Sequence, residues 1–135
     1  MIGAELFPLD FPPELASAAF VSGNQAGWPP KLAAAVIEWL GAHGYAVLGT
    51  ELWVLKGGAV QSLPVGQSGM REVHGNIVSR GSEELWGSFV ARAAMETVVY
   101  LQSFNPADIF EPGEIHFNVF WVSEAQFAEV KSVSS

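Results

Sequence analysis

A chain of 135 residues, 50% hydrophobic and only 15% charged, is long enough for one domain with a real core and too apolar to remain disordered. Six basic against fourteen acidic residues leave a net charge of −8, which repels phosphate backbones, argues against direct nucleic-acid binding and attracts basic partners. The absence of cysteine excludes disulfides, thiolate nucleophiles and thiolate metal sites.

Residues 1–27 are weakly specified. Pro8, Pro12 and Pro13 interrupt them, a short helix is predicted over Glu14–Val21, and Gly23, Asn24 and Gly27 mark a loop. Glu5 and Asp10 break up the N-terminal apolar residues, so no signal peptide is expected and the cytoplasm is the default location; the most apolar window, Leu32–Leu40, is broken by Glu38 and far shorter than the roughly 20 residues of a membrane span. Trp28-Pro29-Pro30 sets the entry to a helix, because proline carries a helix-compatible φ and its missing N–H is not needed in a first turn. Leu32, Val36, Ile37 and Leu40 then form one apolar stripe, and Gly44 ends the helix with His43 near its carbonyl end.

Tyr45–Lys56 is predicted as a strand with large apolar groups on both sides: Leu48, Leu52 and Val54 on one, Val47, Glu51, Trp53 and Leu55 on the other. Gly57-Gly58 suits a two-residue hairpin turn, with Ala59–Val65 as the return strand and Met70–Ser79 as a third extended segment in which Gly75 marks a bulge. Ser82 is the expected N-cap of a long helix, with Glu83 and Glu84 in its first turn. Its inner face comprises Trp86, Phe89, Val90, Ala93, Thr97, Tyr100, Leu101 and Phe104, while Met95 and Val99 fall on the far side. Glu114–Val122 alternates most clearly, with Ile115, Phe117, Val119 and Trp121 opposite Glu114, His116, Asn118 and Phe120, and the polar side is expected to be exposed. Ser123 with Gln126 has the spacing of a capping box for a last helix ending near Lys131, leaving 132–135 as a flexible tail. The expected fold is a single α+β domain spanning 1–135: a mainly antiparallel sheet of about four strands packed against a long helix and a shorter N-terminal one.

Little of this looks like catalytic machinery. His43, His74 and His116 lack the spacing of a zinc site, no serine sits in a G-x-S-x-G elbow, and no glycine pattern cradles a phosphate, so no cofactor or metal is expected. His116 with a neighbouring carboxylate is the one arrangement able to do acid–base work, and the competing reading is an ordinary solvated sheet face. Among the five tryptophans, Trp53 stands out beside Glu51 as an aromatic–carboxylate anchor for a basic partner.

Glu38-Trp39-Leu40, the run Gly44-Tyr45-Ala46-Val47-Leu48-Gly49-Thr50-Glu51-Leu52-Trp53, and Ser79-Arg80 followed by the W-x-x-F-V-x-R spacing of Trp86, Phe89, Val90 and Arg92 together resemble small α+β bacterial immunity proteins of polymorphic toxin systems. The resemblance covers residues 30–104 and does not extend to the first 27 residues or to the His116 strand. It implies a non-enzymatic protein, monomer or homodimer, that binds and blocks a cognate toxin in the cytoplasm of the producing cell. The acidic charge would steer a basic toxin, a nuclease in particular, onto Glu51, Trp53, Glu72, His74, Glu114 and His116. A second binding reading is a small acidic secretion-type chaperone, with Met95 and Val99 in a dimer or client groove.

Overall fold

The computed structural model describes residues 6–62, 75–104 and 114–134. Its elements are α1 (Pro13–Ala18), β1 (Phe20–Ser22), β2 (Gln25–Trp28), α2 (Pro30–Ala42), β3 (Ala46–Lys56), β4 (Ala59–Ser62), β5 (Gly75–Ile77), α3 (Trp86–Ser103), β6 (Glu114–Val122) and α4 (Glu124–Ser134). The fold is α+β, with one six-stranded sheet in the order β1-β2-β6-β3-β4 and β5 on the same edge of β3 as β4; every pairing is antiparallel. Six strands replace the expected four because the glycine-rich opening is a hairpin. Gly23 takes a φ of 62° and turns β1 back along β2, so the predicted helix stops at Ala18 instead of Val21.

Pro30 opens α2 where expected, and Gly44, at φ 85°, lets the chain leave it. His43 Nδ1–H donates to the Trp39 carbonyl oxygen at 2.8 Å, and its ring stacks on Trp39 at 3.9 Å. Gly57 and Gly58 both have positive φ, and they turn β3 into β4 as the dipeptide predicts. The expected continuation of the return strand through Val65, and residues 70–74 of the third segment, lie outside the described residues. Gly75 is a place of close backbone approach: a Cβ there would collide with the Thr50 carbonyl oxygen, and one on Gly49 would collide with that of Asn76.

One register change reorganises β3. The ladder to β6 slips between Val47 and Gly49, leaving Leu48 as an extra residue. Val47 and Leu52 are an odd number apart, yet both join the same core, with Val36, Ile37 and Leu40 of α2, Leu101 of α3 and Phe117 of β6. The expected grouping of Val47 with Trp53 is corrected accordingly. A second cluster joins Ala46 and Val78 to Phe89, Val90 and Ala93 of α3, with Leu48 and Phe127 packed against it. Each large aliphatic or aromatic side chain buried in these clusters contributes about 1.5–3 kcal/mol. A buried polar relay ties three elements together: Thr50 Oγ1 donates to Asn76 Oδ1 at 2.6 Å, and Asn76 Nδ2 donates to Thr97 Oγ1 at 3.1 Å.

The long helix begins at Trp86, after Leu85, which makes no side-chain cap, and not at Ser82. Glu84 accounts for the delay. Its carboxylate accepts from the Gly81 N–H at 2.9 Å and from Arg92 at 2.8 Å, which holds 81–84 as a turn and leaves Glu84 half-buried. At the other end of the chain the capping box forms as its spacing predicts: Ser123 N–H donates to Gln126 Oε1 at 2.8 Å and Gln126 N–H to Ser123 Oγ at 3.1 Å. Helix α4 runs to Ser134, past the expected end near Lys131.

Candidate functional site

The sheet has two unlike faces. Helices α2 and α3 cover the face bearing Leu52, Phe117 and Val119, whereas Glu51, Trp53, Glu114, His116 and Asn118 point to the other. Pairing places Leu55 opposite Glu114, Trp53 opposite His116 and Glu51 opposite Asn118, so four of the six predicted site residues are neighbours on two adjoining strands. Glu72 and His74 lie outside the described residues.

Burial divides the four. Glu114 is exposed and Glu51 half-buried, but Trp53 is only 2% exposed, His116 7% and the adjoining Asn118 0%. The expectation of an exposed polar side is therefore corrected, and Trp53 is a core residue, not a free anchor. Phe20 of β1 stands edge-on to both Trp53 and His116, with ring centroids 6.4 and 6.5 Å away, and the benzo edge of Trp53 lies over Gly27, whose lack of a side chain makes the room. Phe20 and Gly27 were missed as members of this site, although Gly23-Asn24 following an aromatic and a β-branched residue is a legible hairpin signal.

Glu51 Oε1 accepts from Trp53 Nε1 at 3.1 Å, which orients the carboxylate and leaves its negative charge in place. His116 Nδ1 and both polar atoms of the Asn118 carboxamide are buried without a hydrogen-bond partner among the described residues. Burial pushes the His116 imidazole below its ordinary pKa, opposed by the negative charge of Glu114, so the ring is held neutral. No hydrogen bond among the described residues joins a carboxylate to this ring, and no group of three His, Cys, Asp or Glu side chains among them is placed to hold a metal ion. Nor is any described helix long and apolar enough to cross a membrane.

No family model, curated protein or solved structure matches the chain.

A different arrangement governs the loop before α3. Arg92 donates to Glu84 from Nε and Nη2, to Glu96 from Nη1 at 2.8 Å, and to the Ser79 carbonyl oxygen from Nη2 at 2.6 Å. Its guanidinium, with the Gly81 N–H, draws the Glu84 carboxyl down to about 2. Arg80 lies over the rings of Trp86 and Phe127, 5.4 and 5.5 Å from their centroids.

Proposed function

We propose that this chain is a non-enzymatic protein-binding domain of the immunity type, which binds and neutralises a cognate toxin in the cytoplasm of the cell that makes both. The distribution of charge carries this reading. Arg92 is engaged by Glu84 and Glu96 and Arg80 by two aromatic rings, while Glu38, Glu83, Glu114 and Glu129 stand exposed. The net charge of −8, six basic against fourteen acidic residues, supplies the field that speeds capture of a basic toxin. Glu51 and Glu114 are the contacts proposed at this face; Glu72 and His74, outside the described residues, are proposed as contacts from the sequence alone. Trp53 and His116 lie beneath and stiffen it.

Co-expression with a toxin encoded beside this gene tests the reading: a one-to-one complex and restored growth are expected. Glu51→Lys should weaken that complex about tenfold, or ~1.4 kcal/mol. A toxin that stays active, or a complex that tolerates the charge reversal at moderate salt, would count against the toxin and against Glu51 respectively.

The chaperone reading has one observation in its favour, since Met95 and Val99 of α3 are 62% and 56% exposed, one turn apart on the same helix. It requires a dimer built on that stripe. A monomer by light scattering, unaltered by Met95→Lys, would remove it.

A further inference from the structure

Among the described residues, strand β6 is fully paired on one side only. Toward β3 the ladder extends from Glu114, opposite Leu55, to Val122, opposite Ala46. Toward β2 it holds just Phe117 with Trp28 and Asn118 with Gly27. Beyond that point Ala26 and Gln25 keep their pairing to Val21 and Ser22 of β1 but leave β6, so the hairpin peels away from the sheet.

The opening is a cavity of about 590 Å³ bordered by Leu6, Val119–Val122, Asn24–Ala26, Leu48 and Gln126. That volume falls within the roughly 300–1,000 Å³ typical of ligand clefts. In an antiparallel strand alternate residues turn their N–H and C=O groups to the same edge. The open stretch of β6 therefore aims about two residues' worth of backbone donors and acceptors into the cleft, and no described backbone hydrogen bond outside the sheet ladders and helices reaches them. Leu48 is there because of the bulge. Asn24, Gln25 and Gln126 bring carboxamides, and the described lining includes no charged side chain, in a molecule of net charge −8.

We propose that this cleft binds an extended, uncharged peptide segment of another protein, added as a strand beside Val119–Val122 of β6. The unpaired edge calls for a partner whose donors and acceptors repeat at the spacing of a strand, which a peptide backbone has. Four residues of β6 extend about 14 Å, matching a peptide of similar length. Its side chains would alternate between the Leu48–Phe120 side and the Val119–Trp121 side, while the carboxamides at the rim hydrogen-bond peptide groups without favouring either sign of charge. The inference goes beyond the toxin-binding reading and does not rest on it, because peptide capture is measured without a toxin.

The test uses the full chain labelled with nitrogen-15 and a library of end-capped five-residue peptides built from Ala, Val, Leu, Phe, Thr, Asn and Gln. Binding members should shift the amide signals of 119–122 and 24–26 and slow hydrogen exchange of the open β6 amides about tenfold or more. N-methylation of alternate peptide nitrogens removes the ladder without altering the protein, and should abolish binding. Leu48→Trp, which fills the cleft, should weaken it by about tenfold. The inference is overturned if no peptide moves the 119–122 amides, if shifts occur only around Met95 and Val99, or if the N-methylated series binds as well as its parents. Concentration-dependent shifts of the same amides without peptide would assign the edge to a second copy of the chain and overturn it equally.

Discussion

At Gly27 an added methyl group would sit 2.7 Å from Cε3 of Trp53 and 3.2 Å from the Phe117 carbonyl oxygen. Gly27→Ala should therefore cost about 1–3 kcal/mol through overpacking, read from the urea midpoint. In a Trp53→Leu background most of that cost should vanish, a coupling that a double-mutant cycle isolates. His116, beside them, makes stability depend on pH. Its folded pKa lies below the ordinary value of 6.5, so the unfolded chain binds a proton there at a pH where the folded chain does not. Above about pH 6.5 the ring is neutral in both folded and unfolded chains and adds no proton-linked cost, and stability is lost as the pH falls from there toward the folded pKa. Between pH 7 and 5 the melting temperature of the parent should drop more than that of His116→Gln, and equal slopes would refute the assignment.

Among the elements, the loop 79–85 and helix α3 are joined by one guanidinium. Arg92 reaches Ser79, Glu84 and Glu96 together, and its hydrogen bond is the largest reason Glu84 titrates near 2. Replacing it by methionine should return the Glu84 carboxyl toward 4.5 in a carbon-13 titration, leaving the Gly81 N–H and the charge of Arg80 to hold it down. Because the folded pKa is depressed, the stabilisation this pair supplies is present above pH 4.5 and disappears as the pH falls toward 2. If Glu84 still titrates near 2 in Arg92→Met, the backbone N–H is the dominant partner. The same element explains why Ser82 is no cap: a carboxylate with an arginine and an amide to satisfy outcompetes a serine hydroxyl for the start of the helix.

For the whole molecule the decisive property is the imbalance of its surface. With Arg80 and Arg92 occupied internally, association with a basic protein should be fast at low salt, and its rate should fall about tenfold or more when ionic strength rises from roughly 50 to 500 mM. Dissociation should change far less, since steering acts on encounter. A rate indifferent to salt would sever the acidic field from capture. The neutral cleft at the splayed end of β6 sits within this field, so long-range charge and short-range strand pairing operate through separate groups.

Local patterns in the chain already prescribed much of the architecture. The stripe Val36-Ile37-Leu40, the Gly57-Gly58 turn, the alternation of Glu114–Val122 and the Ser123–Gln126 box each depend on residues close in sequence, and each forms as the periodicity or the side-chain chemistry requires. The adjacency of Glu51 and Trp53 to His116 followed once those two strands were neighbours. Tertiary packing decided the remainder. A one-residue bulge reversed the facing of Val47, the β1–β2 hairpin brought Phe20 and Gly27 against Trp53, and burial turned an expected polar surface into a neutral histidine and an amide without a partner among the described residues. Register, burial and the peeling of one strand from another are set by contacts between segments far apart in the chain, where a period of two along one strand carries no information.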